Sequence, residues 1–278
     1  MAWEIIALGT NTIVTSGNLT LDEPAGTSAG DLIIACIAYR DTVPFTAPSA
    51  EWNLVATQLH DGDTDATSGI ASGGMWYCIR GASAPSYAWT RVAGDVAMGQ
   101  TVTYRGQKST SPYDTGSSLQ AGSDREPIGT TITTAEANEL LVAMIAHGDN
   151  SLTVTMDAVN NPGTASTTTV AVTTEPASNT WYERSDTGSN TGADVGLFIA
   201  DAIMTTAGAT GAFSADAATT SDSVMIVGAW KIQPSGFNSK VMVDGAWKSV
   251  ASALVMVDGA WKSVTSMKVM VDGAWKTV

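Results

Sequence analysis

The sequence predicts an all-β protein, a jelly-roll-like β-sandwich with an internal pseudo-duplication, followed by C-terminal β-hairpin repeats. The composition favours strands and turns, because only 14% of the residues are charged and 27 are glycine. Short apolar runs alternate with turn-forming clusters such as "DGDTDATSG" and "SDTGSNTGAD", a spacing typical of sandwiches and barrels. Near its end the chain repeats one short phrase three times.

The strongest apolar runs predict a body, residues 1–234, that contains an internal duplication. "GDLIIACIAYRD" (30–41) and "NELLVAMIAHGD" (138–149) share five identical positions. Later segments match in the same order, and the matching pairs are Trp52/Trp181, Gly74/Gly196 and Tyr104/Trp230. We therefore predict pseudo-repeats of about 1–112 and 113–234, each with about five strands. Both runs are too continuous for strands with one wet face, so we expect them to be covered on both sides.

Residues 235–240 are predicted to be a linker, and residues 241–278 to form three β-hairpins with a 14-residue period. In "VMVDGAWKSV", an Asp-Gly pair between two strand-like runs is typical of a two-residue type I′ turn. Such a turn would place Met242 opposite Trp247 and Val241 opposite Lys248. The predicted turn residues are Asp244, Gly245, Asp258, Gly259, Asp272 and Gly273.

Each hairpin would carry apolar side chains on both faces, and a lone hairpin of this size is marginally stable in water. We therefore expect the hairpins to pack on one another or between chains. The Trp residues are interpreted as packing partners of Met, and sugar stacking is the alternative. The candidate assembly or glycan contacts are Met242, Trp247, Met256, Trp261, Met270 and Trp275.

A related phrase, "VMIVGAWK" (224–231), precedes the repeats. It has Val227 where the repeats have the turn Asp. We therefore predict that this segment runs straight, as the last strand of the body.

The charge is distributed unevenly along the chain. Residues 1–230 carry 7 basic and 24 acidic side chains, a net charge of −17, whereas residues 231–278 carry 6 and 3, a net charge of +3. We expect no nucleic-acid binding by the body, since phosphate contacts need clustered Lys and Arg. The basic tail could contact an acidic partner, including a neighbouring copy. We expect neither a signal peptide nor membrane insertion, because the apolar runs are too short.

The sequence offers few residues for catalysis. Cys36 and Cys78 are the only cysteines, and we expect buried free thiols rather than a disulfide framework or a zinc site. The only histidines are His60 and His147, and His147 is interpreted as a strand-end residue. No nucleophile-elbow, metalloprotease or P-loop motif occurs, so we predict that the protein is not an enzyme. A carboxylate pair for glycoside hydrolysis stays open among the 27 acidic residues.

No cofactor is predicted, although one loop could bind calcium. In "HDGDTDATSG", Asp61, Asp63 and Asp65 alternate like the first ligands of an EF-hand loop. Ala66 and Ser72 stand where that loop requires Gly and Glu. A solvated acidic loop is therefore the simpler interpretation, and a calcium site is the alternative.

Two aromatic positions lie next to polar turns and could form a carbohydrate-binding face. They are Trp89 in "SYAWTRV" and the pair Trp181-Tyr182. Aromatic residues of sandwiches more often lie in the core, which is the competing interpretation.

The repeated units resemble the short V-x-V-x-G-x-W-K repeats found near the ends of tail proteins of tailed bacteriophages. "GDLIIACIAYR", "EWNLVATQ" and "VTYRG" resemble a β-sandwich domain common in phage virion proteins. The resemblance implies a non-enzymatic, multimeric structural protein of the virion, assembled in the host cytoplasm and released by lysis. The implied partners are further copies of the chain, as a homotrimer, other virion proteins and host-surface glycans.

We therefore expect a tail fibre or tip component that contributes to host attachment, with C-terminal hairpins that join copies or dock them onto the particle. A capsid decoration protein and a stand-alone carbohydrate-binding module are the alternatives. Stoichiometry separates these hypotheses, because a decoration protein needs many more copies per particle than a tail component.

Overall fold

The structure is a computed structural model of the 278-residue chain. It describes residues 2–59, 70–92, 94–121, 131–149, 154–159, 161–165, 167–171, 174–191, 193–213, 215–217, 221–234, 240–243, 246–249, 254–257, 260–263, 268–271 and 274–277. Within these ranges the regular elements are strands and none is a helix, so the predicted all-β class is confirmed. The chain divides into a body, Ala2–Ile232, and a C-terminal unit, Gln233–Val278.

The strands of the body follow the order of the chain. The first half contains β1 (Glu4–Leu8), β2 (Thr12–Val14), β3 (Leu19–Thr20), β4 (Leu32–Tyr39), β5 (Asn53–Gln58), β6 (Ser72–Ile79), β7 (Ala88–Trp89) and β8 (Ala97–Arg105). The second half contains β9 (Tyr113–Ala121), β10 (Thr133–Thr134), β11 (Glu139–His147), β12 (Val154–Ala158), β13 (Asn161–Ala165), β14 (Thr168–Thr169), β15 (Tyr182–Ser189), β16 (Val195–Met204), β17 (Gly208–Ala209), β18 (Ala215–Ala217) and β19 (Ser223–Trp230).

Two large sheets form the body, and each is built from one half of the chain. The first sheet has the strand order β1-β8-β4-β6-β5, and β2 also pairs with β8. The second has the order β14-β15-β16-β11-β19-β9. Their pairings are antiparallel, except that β14 and β15 are parallel. Smaller sheets pair β3 with β7, β10 with β17, and β12 with β13 and β18.

The two large sheets pack face to face and confirm the predicted sandwich. Ile34 of β4 and Val142 of β11 belong to the same buried cluster, which lies between the sheets. Ile33 and Leu141, one position earlier, belong to two further clusters on the outer faces. Every residue of β4 and β11 is buried, which confirms that these strands are covered on both sides. Each fully buried Ile, Leu or Val stabilises the fold by roughly 1.5–3 kcal/mol.

The connections of this sandwich differ from the predicted jelly-roll. In a jelly roll the chain passes repeatedly from one sheet to the other. Here β1, β4, β5, β6 and β8 stay in one sheet, and β9, β11, β15, β16 and β19 stay in the other. The body is therefore a sandwich of two successive chain halves.

The same strand order occurs in both large sheets. In this correspondence β1, β8, β4, β6 and β5 match β9, β19, β11, β16 and β15. The register agrees as well, because Tyr104 lies opposite Leu32 and Trp230 lies opposite Leu140. Shared order and register are what an internal duplication produces.

Irregularities in the pairing also recur at corresponding places. The register of β5 with β6 shifts between Leu54 and Ala56, and the register of β15 with β16 shifts between Glu183 and Ser185. The residues in the two shifts, Val55 and Arg184, therefore occupy equivalent positions. Such bulges re-aim side chains at the edge of a sheet.

One predicted match between the halves is wrong. Gly74 lies opposite Ile37, whereas Ile145, which matches Ile37, lies opposite Phe198. Gly74 therefore corresponds to Phe198 and not to Gly196, an offset of two residues along β16.

The segment "VMIVGAWK" lies almost wholly within β19, which pairs with β11 on one side and with β9 on the other. The prediction that it runs straight as the last strand of the body is confirmed. The C-terminal unit contains three further antiparallel pairs: β20 (Lys240–Val243) with β21 (Ala246–Ser249), β22 (Leu254–Val257) with β23 (Ala260–Ser263), and β24 (Lys268–Val271) with β25 (Ala274–Thr277).

Candidate functional site

The predicted contact residues of the C-terminal unit lie on its paired strands. A Met of the first strand is opposite a Trp of the second in each pair: Met242 and Trp247, Met256 and Trp261, Met270 and Trp275. The unit therefore repeats one Met-Trp position three times. The predicted turn residues Asp244, Gly245, Asp258, Gly259, Asp272 and Gly273 lie outside the described residues.

The predicted calcium ligands Asp61, Asp63 and Asp65 also lie outside the described residues, as does His60. Within the part of the chain that the structure describes, no group of three or more His, Cys, Asp or Glu side chains is arranged to hold a metal ion.

The aromatic residues considered for a carbohydrate face belong mainly to the core. Trp89 and Trp181 are both 0% exposed. The Trp89 ring lies 4.8 Å from that of Trp52, and the Trp181 ring lies 5.7 Å from that of Phe213. Because a fully buried ring cannot stack on a sugar, the hypothesis is wrong for these two residues. Tyr182 is half-buried beneath the Arg184 guanidinium.

The two cysteines are buried free thiols, as predicted. Cys36 lies in the cluster between the large sheets, whereas Cys78 lies in an outer cluster. Burial raises the pKa of both thiols, that of Cys78 to about 12. Both side chains therefore stay protonated and act as small apolar core residues.

A buried ion pair of the second large sheet accepts a hydrogen bond from the first sheet. The Arg184 guanidinium donates to both carboxylate oxygens of Asp201, at 2.6 Å and 2.8 Å. The Tyr104 hydroxyl, which comes from the other sheet, donates to the same carboxylate at 2.7 Å. Both charged side chains are 0% exposed. We call Tyr104, Arg184 and Asp201 the ion-pair contact.

The charges of the ion-pair contact are held by mutual hydrogen bonds. Burial lowers the pKa of Arg184, but its hydrogen bonds to Asp201 and the charge of that carboxylate outweigh the burial and raise the pKa overall. Burial raises the pKa of Asp201, and its hydrogen bonds from Arg184 and Tyr104 oppose this effect. Burial, with the charge of Asp201 beside it, raises the pKa of Tyr104, so the phenol stays a donor.

Three aromatic rings join the sheets at the corresponding position in the other half. The Tyr77 ring stacks on that of Tyr113 at 5.2 Å, and both rings meet the Trp230 ring at 5.9 Å. Tyr77 and Asp201 are equivalent because they lie opposite Ile34 and Val142. We call Tyr77, Tyr113 and Trp230 the aromatic contact.

An arginine surrounded by aspartates occupies the end of β4. The Arg40 guanidinium donates to the carbonyl oxygens of Gly148 and, at 2.6 Å, of Asp194. Four carboxylates favour its charged form, those of Asp95, Asp149, Asp194 and Asp222, although burial lowers its pKa more strongly. His147 is the last residue of β11, and burial lowers its pKa to about 4, so it is neutral near pH 7.

Sequence reasoning missed the ion-pair contact, although one signal was present. Asp201 is the only charged residue in the ten-residue strand "VGLFIADAIM". A carboxylate inside such an apolar run requires a buried partner. Its partner Arg184 could not be identified from spacing, because it belongs to a different strand.

A comparison with protein-family models, curated proteins and solved structures finds no match for this chain. Among the described residues no helix is long and apolar enough to cross a membrane.

Proposed function

We propose that this chain is a non-enzymatic structural protein of a tailed-phage particle, with the role of a tail fibre or tip component that contributes to attachment to host-surface glycans. The observation that carries the proposal is the threefold recurrence of one strand pair in the C-terminal unit, with Met opposite Trp each time. In the proposal these pairs join copies of the chain, as a homotrimer, or dock them onto the particle.

The three strand pairs support an assembly role because each would gain stability from a partner. Two-stranded sheets are marginal in water unless an apolar face is covered. Large aromatic side chains supply most of the binding energy of protein interfaces, and Met adapts to irregular partners. Three equivalent Met-Trp positions on one chain would also act together, since linked weak contacts strengthen one another.

The body supports the proposal through its construction. Its two halves bury their central strands on both faces, and Tyr104 of one sheet donates to Asp201 of the other. The charge of the body, −17 over residues 1–230, opposes that of residues 231–278, which is +3. This complementarity would favour contacts between the tail of one copy and the body of another.

The first test is the mass in solution, by light scattering, of the full chain and of a chain that ends at Pro234. We expect a trimer that becomes a monomer on truncation. A matched variant with Trp247, Trp261 and Trp275 replaced by Ala keeps the chain length and should also be monomeric. Both shortened and substituted chains should retain the far-UV circular dichroism of a folded body.

A full chain that is monomeric would overturn the assembly role and favour the carbohydrate-binding alternative. In that case the carbohydrate-binding alternative predicts that the full chain binds to a glycan array and that the triple Trp variant does not. A trimer found in purified particles at hundreds of copies would favour the decoration alternative, because fibres are present in far smaller numbers.

A further inference from the structure

Three charged groups meet where the last strand of the body ends. Lys231 follows β19 directly, and its ammonium nitrogen lies 2.7 Å from Oδ1 of Asp114 in β9. Oδ2 of Asp114 accepts the Ala135 amide at 2.7 Å. Glu139, the first residue of β11, is completely buried and lies beside the Asp114 carboxylate. A backbone hydrogen bond connects the same segments, because the Lys231 amide donates to the Pro112 carbonyl at 2.7 Å.

The equivalent place in the first half also has two acids, but one of them lies at the surface. Asp31 corresponds to Glu139, since each carboxylate accepts a backbone amide three residues earlier, from Ser28 and from Glu136. Arg105 directly follows Tyr104 as Lys231 follows Trp230, and it binds Asp31 through two hydrogen bonds of 2.8 Å. The second acid, Glu4 of β1, lies 3.5 Å from the same guanidinium, and its side chain is 51% exposed.

The second half differs because both of its acids are shielded from water: the Asp114 side chain is 9% exposed and Glu139 is 0% exposed. The Lys231 ammonium group pairs with Asp114. Oε1 of Glu139 accepts a hydrogen bond from the Glu136 amide, whereas Oε2 accepts none from another described residue. A proton on Glu139 supplies the missing hydrogen between the two acids. The other charged groups nearby, Lys108 and Glu136, pair with each other at 2.6 Å.

We propose that Glu139, Asp114 and Lys231 form a pH-sensitive latch, which holds β9 and the end of β19 firmly while one proton is shared between the two acids and loosens when that proton is lost. The latch belongs to the body and does not depend on the proposed role in a virion.

The direction of the pH effect follows from the surroundings of Glu139. Burial, followed by the charge and hydrogen bond of Asp114, raises the pKa of Glu139 from 4.5 to about 7. A raised carboxyl pKa means that the folded state binds the extra proton, so this contribution is complete below about pH 4.5 and is lost as the pH rises through about 7. For Asp114 burial acts in the same direction, but Lys231 and the Ala135 amide bring its pKa below the ordinary value, outside this window.

The test is hydrogen exchange of the full chain at pH 5.5 and 8.5, corrected for the intrinsic exchange rates, in peptides that cover residues 107–121 and 223–233. In the natural sequence we expect protection of these peptides to fall about 30-fold between the two pH values. In Glu139→Gln, which keeps the hydrogen bond without a titrating proton, the fall should disappear. An unchanged fall in this variant, or no fall in the natural sequence, overturns the latch.

Two further variants keep the result decisive. Asp114→Asn removes the neighbouring carboxylate, which adds to the effect of burial on the Glu139 pKa, and should make the fall smaller. An unchanged fall in Asp114→Asn would overturn the latch even if Glu139→Gln does not fold. Asp186→Asn is the matched control, because burial and then the charge of Glu183 raise the pKa of Asp186 to about 7 in β15. In Asp186→Asn the protection of the two peptides should still fall between pH 5.5 and 8.5. If protection no longer falls in this variant, the assignment of the pH effect to Glu139 is wrong.

Discussion

The two inter-sheet contacts of the body use one backbone arrangement with different chemistry. Tyr104 and Trp230 occupy the same register position, opposite Leu32 and Leu140. Around Tyr104 the sheets are joined by a hydrogen bond to Asp201, which pairs with Arg184 within the second sheet, whereas around Trp230 they are joined by packed rings. Equivalent backbone positions can therefore carry different side-chain contacts, and a duplicated sandwich can vary the chemistry of each half separately.

The two contacts differ in how they should respond to substitution. An ion pair at 0% exposure has given up the solvation of two charges and depends on both partners being present. Packed rings stabilise the fold in proportion to the apolar area that they bury, so a substitution that removes part of this area removes only part of the stabilisation. We therefore expect the ion-pair contact to be sensitive to single changes and the aromatic contact to be tolerant.

The largest difference is expected from Asp201→Asn. The substitution keeps the side-chain volume but leaves the buried Arg184 guanidinium without its counter-charge, which should lower the free energy of unfolding by about 3–5 kcal/mol. Chemical denaturation of the chain ending at Pro234 measures this quantity. The double variant Arg184→Met with Asp201→Asn removes both charges and should recover at least half of the loss. If the free energy of unfolding of Asp201→Asn lies within about 1 kcal/mol of that of the natural sequence, the prediction is wrong.

The duplication was predictable because apolar runs keep their register. Leu32 and Leu140 are matched correctly, since both begin strands buried on both faces. Gly74 and Gly196 are matched wrongly, because glycine identity says nothing of the residue opposite in the neighbouring strand. The ion-pair contact was not predictable, since Tyr104 and Asp201 meet only when the two halves pack face to face.

A smaller difference is expected when one hydroxyl is removed from each contact. Tyr104→Phe removes a hydrogen bond of 2.7 Å to a buried carboxylate and should lower the free energy of unfolding by about 1.5–3 kcal/mol. Tyr113→Phe keeps the stacked ring and should change it by less than about 0.5 kcal/mol. The same denaturation experiment compares the two variants side by side. Equal effects of both substitutions would show that the contacts do not differ in sensitivity.

The smallest difference between paired variants is expected for Trp-to-Phe substitutions, of which Trp230→Phe lies in the aromatic contact. The smaller ring leaves a cavity, which is unfavourable. The substitution also removes a buried indole N–H that donates to no other described residue, and this relief opposes the cavity term. We expect a net loss of about 1–2 kcal/mol.

Trp52→Phe is the matched control for this last substitution. The Trp52 indole donates to the Ser86 carbonyl at 2.8 Å, so its removal adds a broken hydrogen bond to a cavity of the same kind. Trp52→Phe should therefore destabilise the body by about 1 kcal/mol more than Trp230→Phe. The reverse order would mean that the Trp230 indole has a hydrogen-bond partner, and the aromatic contact would then depend on a polar interaction as the ion-pair contact does.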